Sequence, residues 1–149
     1  MHWAKNWTLG WSGPKEIERY GIVNALHLAG QRALAGLRTP PGQVILDGNQ
    51  DWLTSWPTLF APDADPQAPT TVTLVKADQT CASVAAASVL AKVARDRFME
   101  EASVQYPGFG WKSNKGYGTL VHRTAIDRLG LSPLHRPSWV LRGDEKAEL

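Results

Sequence analysis

The sequence predicts an α/β fold, and three observations carry that prediction. Apolar strand-like runs alternate with longer segments whose apolar residues recur at helical spacing. Two of the runs end in an aspartate, Asp47 and Asp78. The segment after the second, CASVAAASVLAKVARDR, is so rich in alanine that it must pack closely against a neighbouring layer.

Taken in order, WTLGWS (residues 7–12) reads as a strand. Trp3, Trp7 and Trp11 recur every fourth residue, but the period-two series Trp7, Leu9, Trp11 and the residues Thr8, Gly10 and Gly13 favour extended backbone. Ser12-Gly13-Pro14 ends it. Pro14 suits the first turn of a helix, Ser12 or Gly13 is the expected cap, and Glu16 and Glu18 sit where the helix dipole favours acids. The stripe Ile17, Ile22, Val23, Leu26, Ala29, Gly30, Ala33, Leu34, Leu37 extends that helix until it stops before Thr39-Pro40-Pro41-Gly42. Val44–Leu46 is a short buried strand closed by Asp47-Gly48-Asn49. Pro57, Pro62, Pro66 and Pro69 make 51–70 a long irregular surface loop.

TVTLVK is the second buried strand, followed by a helix from about Ala82 to Val104 whose face Ala82, Ala85, Ala86, Val89, Val93 is expected in the core. YPGFGWKSNKGYGT reads as a loop, and Leu120–Leu129 as a short helix closed by Gly130. The chain then extends through SPLHRPSW to Trp139. One domain over 1–140, with a charged, frayed tail at 141–149, is the expected organisation, and no internal repeat is visible.

Composition bounds the function. At 149 residues the chain can bury roughly two thirds of its unfolded surface. With 43% hydrophobic and 20% charged residues it is an ordinary globular sequence rather than a disordered one. A net charge of +2 is too small to argue for nucleic acid by itself. Cys81 is the single cysteine, so no internal disulfide can form; with no signal-peptide pattern at the start, the expected setting is reducing and cytoplasmic. No apolar run approaches the roughly 18 residues of a membrane span.

The chemistry starts at Asp47 and Asp78. Each closes a strand, at the edge where open α/β sheets bind ligands, so both can reach one crevice. An aspartate after a strand is also a common helix cap or turn former, and for Asp78, with Thr80 and Cys81 opening a helix, both readings stand. If the carboxylates converge, their repulsion calls for a cation, and oxygen ligands without a histidine or cysteine cluster select magnesium or manganese over zinc. Hard divalent ions held by carboxylates serve phosphodiester hydrolysis, which makes a nuclease or phosphotransferase one hypothesis.

The glycine-rich loop is the second signal. Lys112, Lys115, the backbone of Gly116 and Gly118, and the ring of Tyr117 combine phosphate-directed charge, approachable backbone and a stacking surface. The competing reading is a turn whose tyrosine tucks into the core. His135 and Arg136 suit either a phosphate contact or a packed tail. His122 reads as a surface or packing residue, Arg95-Asp96-Arg97 as a solvated or salt-bridged face, and Cys81 as a small packed hydrophobe.

In order, ILDGN, VKADQTCASVAAASVLAKVARDR, YPGFGWKSNKGYGT with a following histidine, and LHRPSW resemble bacterial ribonuclease HII, and residues 7 to about 140 take part. The resemblance implies a ribonuclease H-like fold, a mixed sheet flanked by helices, with the N-terminal strands missing. It implies metal-dependent cleavage of the RNA strand of RNA–DNA hybrids, incision at ribonucleotides embedded in duplex DNA, and Mn2+ or Mg2+ as cofactor. Asp47 matches the third and Asp78 the fourth of the family's four acidic ligands. Tyr117 matches the tyrosine that stacks near the ribonucleotide junction, with Lys115, Gly116 and Arg136 beside it as nucleic-acid contacts.

The family's Asp-Glu-Ala-Gly-Arg-Gly segment and its later Asp-Ser-Lys segment do not occur here, and Met1 falls roughly where the family's third strand begins. Asn114 stands where many relatives have histidine, and the loop between Asp47 and Asp78 is longer than in many relatives. A truncated, weak or inactive nuclease is therefore expected. The family is typically monomeric, but an exposed sheet edge and apolar face favour self-association. The alternatives are a non-catalytic remnant that grips duplex nucleic acid and, from pattern alone, a magnesium-dependent phospho-acceptor domain.

Overall fold

The computed structural model of the chain describes residues 4–54 and 69–139; Trp3, most of the proline-rich loop and the expected tail at 141–149 lie outside them. The chain divides into two compact units, Met1–Ser88 and Val89–Leu149.

In the first unit, Pro14 opens α1 (Pro14–Tyr20), where its missing N–H costs nothing. Gly13 is the cap residue, and its N–H donates to Glu16 Oε2 at 3.0 Å. The single long helix expected from the apolar stripe is broken. Gly21, at φ 80° and ψ 164°, is not helical; its N–H closes α1 on Ile17 O at 2.8 Å, and its carbonyl accepts from Ala25 N at 3.1 Å to start α2 (Ile22–Ala35). Apolar periodicity runs through the break because Gly21 reorients the axis without interrupting the stripe.

Arg32 of α2 clamps Glu16 of α1 with Nη2–Oε1 at 2.6 Å and Nη1–Oε2 at 3.0 Å. That guanidinium, followed by the Gly13 N–H, holds the Glu16 carboxyl down to about 2 from an ordinary 4.5. A carboxyl lowered on folding stabilises the native state above its unfolded pKa, and the contribution fades as pH falls from 4.5 towards 2. The parent is therefore expected to lose stability faster than Glu16→Gln across that window in acid titrations followed by circular dichroism. Parallel curves would mean that the clamp contributes nothing.

Residues 7–12 form no strand. The segment runs along α2 instead, with Thr8 Oγ1 donating to Ala33 O and Ser12 Oγ to Ala25 O, both at 2.6 Å. A strand requires a neighbouring ladder, and these hydroxyls bond helix carbonyls in its place. Gly10 permits the approach: a Cβ built there would lie 1.7 Å from Ala29 O. Gly10→Ala is expected to destabilise the first unit by about 2 kcal/mol or more, because backbone must move to admit the methyl. An unchanged thermal midpoint would contradict this packing.

β1 (Gln43–Asp47) and β2 (Thr70–Leu74) pair in parallel, Gln43 opposite Thr70 through Asp47 opposite Leu74. Among the described residues the sheet has these two strands and is parallel rather than mixed. The inner face carries Leu46, which is buried, with Val44 and Thr71 half-buried. The strands, expected to be buried, are only partly so. Ser83, Val84 and Ala87 line a depression of ≈ 240 Å³ with Gln43 and Ile45, yet Ile45, Val72 and Leu74 remain 37–43% exposed. Among the described residues, that face of the sheet is only partly covered.

α3 (Ala77–Thr80) is a single turn, and α4 (Ala82–Gln105) begins two residues later. The small-residue face expected in the core is not there: Val89 and Val93 are exposed, and Ala85 and Ala86 only half-buried. The residues that α4 buries are Met99 and Ala102. They pack in the second unit with Phe109, Trp111 and Ala125, flanked by Tyr106, Ile126 and Leu134. The expected loop contains one helical turn, α5 (Trp111–Asn114). α6 (Leu120–Leu129) forms where expected, capped by Thr119 Oγ1, which accepts from His122 N, and ended at Gly130. No helix of the described residues is long and apolar enough to cross a membrane.

Candidate functional site

Parallel pairing puts the ends of β1 and β2 side by side. Beyond the last register pair, Gly48 N donates to Leu74 O at 3.0 Å. The chain leaves β2 through Lys76, whose left-handed backbone (φ 57°, ψ 39°) turns it into α3. Asp47 Oδ1 then accepts from Ala77 N at 2.9 Å, so a carboxylate of one strand satisfies the open amide of the turn after the other. Asp78 is the next residue, in the first turn of α3.

The sheet edge thus brings both aspartates together, and both are exposed. The helix-capping role left open for Asp78 falls to Asp47 instead. Among the described residues, Asp47 Oδ2 and the Asp78 carboxylate have no protein hydrogen-bond partner. Their hard oxygens suit a divalent cation, but no cluster of three histidine, cysteine or acidic residues is present among the described residues. A cation held by two carboxylates keeps most of its shell as water. Cys81, close by in sequence, is half-buried, and a hydrogen bond with Ser83 (Sγ–Oγ 3.2 Å) lowers its thiol pKa, a feature not apparent in the sequence.

The second unit holds the glycine loop. Gly110, Lys115 and Gly116 have φ of 69°, 50° and 79°, which fold the chain back on itself after one turn of α5. Asn114 staples the turn: its Nδ2 donates to Phe109 O and its Oδ1 accepts from Gly116 N, both at 2.8 Å. A Cβ on Gly116 would meet Met99 Cε at 3.0 Å besides demanding a strained backbone. The Gly116 amide, expected to face a ligand, is thus engaged by Asn114. Lys115 Nζ pairs with Glu100 and donates to Lys112 O at 2.5 Å.

Tyr117 does not tuck into the core; its side chain is exposed, and the Arg95 guanidinium lies 4.9 Å from its ring centroid. Arg95 thus borders the loop as well as the salt-bridged face expected from the sequence, where Asp96 pairs with Lys92 and lies 3.8 Å from Arg95 Nη1. Arg136, half-buried, stacks at 3.8 Å over the Trp139 ring. His122 and His135 are both buried, with their Nε2 atoms 3.0 Å apart. Sequence reasoning missed this pair and its neighbour Trp111. Its signal was a tryptophan inside a glycine-rich stretch, which a solvent loop does not require.

A family model described as Ribonuclease HII matches residues 9–142. The chain belongs to the ribonuclease HII family. Curated relatives named ribonuclease HII include proteins of Streptomyces avermitilis (41% identical over 138 residues, 92% of this chain and 54% of the relative) and Streptomyces coelicolor (44% identical, with the same coverage). A ribonuclease HII of Paracoccus denitrificans is 42% identical over 134 residues, 90% of this chain and 58% of the relative. The chain thus spans little more than half the length of these ribonucleases HII. Its helix-flanked parallel sheet agrees with the α/β fold expected from the sequence.

Proposed function

We propose that this chain carries part of the catalytic and substrate-binding apparatus of a metal-dependent endonuclease of the ribonuclease HII type. Its substrates would be the RNA strand of RNA–DNA hybrids and ribonucleotides embedded in duplex DNA. The observation that carries the reading is the hydrogen bond from Ala77 N to Asp47 Oδ1, which ties Asp47 to the turn holding Asp78 at one sheet edge. Asp47 and Asp78 would hold Mg2+ or Mn2+, which supplies Lewis acidity and an activated water for phosphodiester hydrolysis. Tyr117 would offer a stacking surface, and Lys115, Gly116 and Arg136 would contact the nucleic-acid backbone.

If Asp47 and Asp78 hold the metal by themselves, weak binding and little or no cleavage are expected, because positioning and charge neutralisation are most of this chemistry. The test is a labelled duplex containing one ribonucleotide, incubated with the folded chain and Mn2+ or Mg2+. Cleavage at a rate typical of an enzyme would overturn the expected weakness. Binding without cleavage, weakening steeply with salt, would favour a non-catalytic duplex-binding role. The exposed Tyr117 on its stapled turn supports that second reading.

A further inference from the structure

The two buried histidines lie beneath the Tyr117 turn, and the donors around them dictate how they are protonated. Trp111 Nε1 carries a hydrogen and can only donate, so at 3.0 Å it makes His122 Nε2 an acceptor. The His122 hydrogen is then on Nδ1, which donates to the Tyr117 carbonyl at 3.0 Å. At the far end, Ser132 N donates to His135 Nδ1 at 2.8 Å, placing the His135 hydrogen on Nε2, where it points at His122 Nε2. Both rings are neutral in this arrangement. A second hydrogen on His122 would face two donors, and one on His135 Nδ1 would face the Ser132 amide.

The rings around the pair are Phe109, 4.9 Å from His135 between centroids, and Trp111 at 5.3 Å. Ser132 Oγ, 2.8 Å from His135 Nδ1, adds a polar neighbour from the following segment. Among the described contacts of the two rings there is no carboxylate to compensate a positive charge. Burial first, and His122 second, lower the His135 pKa. The Tyr117 carbonyl also accepts from Thr119 N at 2.8 Å, so the peptide after Tyr117 is held from two sides.

We propose that His122 is a positioning residue for Tyr117: its Nδ1–H, oriented by Trp111 and His135, fixes the peptide that follows Tyr117 so that the ring is presented to a nucleic-acid duplex. The substrate side of this inference rests on the function proposed above. Both histidines are buried, and they act through the backbone that carries Tyr117.

The test uses the 149-residue chain and the variants His122→Asn, His122→Gln and Tyr117→Ala. The Asn amide reaches about where Nδ1 sits and keeps the bond to the Tyr117 carbonyl, whereas the Gln amide reaches about where Nε2 sits and does not. In the parent at neutral pH, nitrogen-15 spectra are expected to show the hydrogen on His122 Nδ1 and on His135 Nε2. The Gly118 amide resonance should stay in place in His122→Asn and move in His122→Gln.

For the ribonucleotide-containing duplex, His122→Gln is expected to weaken binding by about tenfold, the size of one stacking contact. His122→Asn should stay within about twofold, and Tyr117→Ala should add nothing to His122→Gln. Equal effects of Asn and Gln on Gly118, or the His122 hydrogen on Nε2, would overturn the positioning role. If the spectra behave as expected and Tyr117→Ala binds duplex like the parent, the positioning role stands and the substrate assignment fails.

Discussion

Trp111→Ala is expected to abolish cooperative folding of the second unit. Trp111 is 1% exposed and is the largest fully buried side chain among the described residues. Its ring stacks on Phe109 at 5.1 Å and 20° and meets Tyr106 edge-on at 5.9 Å. Truncating a buried tryptophan costs about 3–5 kcal/mol in lost transfer and cavity energy. Removing its N–H also leaves His122 Nε2 with one donor instead of two. At roughly 0.05–0.15 kcal/mol per residue, a unit the size of Val89–Leu149 has only about 3–9 kcal/mol in total, so a loss of that size is enough to unfold it.

Trp111→Phe keeps much of the ring volume and loses the N–H, so a smaller loss of about 1–3 kcal/mol is expected. Hydrogen exchange of the amides from Met99 to Ala125 separates the cases. Protection should vanish in Trp111→Ala and weaken in Trp111→Phe. Full protection in Trp111→Ala would show that the packing around this ring is not what holds the unit.

Asp47 should separate chemistry from folding. Asp47→Asn keeps an oxygen to accept from Ala77 N and removes the charge; Asp47→Ala removes both. The Asn variant is expected to unfold within about 0.5 kcal/mol of the parent, and the Ala variant about 1 kcal/mol lower. Both should lose any metal-dependent cleavage the parent shows, by about two orders of magnitude or more, and both should show weaker Mn2+ binding in calorimetry or paramagnetic relaxation. Asp78→Asn should match Asp47→Asn in metal binding with no stability cost, since its carboxylate makes no described hydrogen bond. Unchanged Mn2+ binding in both Asn variants would remove these aspartates from the metal site.

The differences between what sequence and structure say follow from which forces act locally. α6 was legible to the residue because its bounds and the Gly130 that closes it lie within one short window; its Thr119 cap emerged only in the structure. Pro14 and Gly13 marked the start of α1 for the same reason. The strand expected at 7–12 was not formed, because alternation describes an extended segment that can pair with a strand or, as here, lie along a helix whose Ala29 leaves room only for Gly10. The break at Gly21 was hidden by an apolar stripe that continues through it.

At the site, Asp47 and Asp78 were visible as aspartates ending apolar runs, and Tyr117 as an aromatic among glycines. Their roles in the fold were not. Which aspartate caps the turn depends on parallel register, since it is the pairing of Asp47 with Leu74 that carries Asp47 Oδ1 to Ala77 N. That Tyr117 lies exposed beside Arg95, and that His122 reaches its carbonyl, depends on contacts made only when α4, α5 and α6 pack round Trp111.

By itself, the sequence determined the α/β alternation, the helix ends that carry their own caps, and the ordered motifs that mark the ribonuclease HII family, because each is written in neighbouring residues. The tertiary structure alone decided which faces are buried, which donor meets which acceptor and how the two histidines are protonated. Burial and hydrogen-bond direction depend on residues distant in the chain, and a one-dimensional pattern does not record which of them meet.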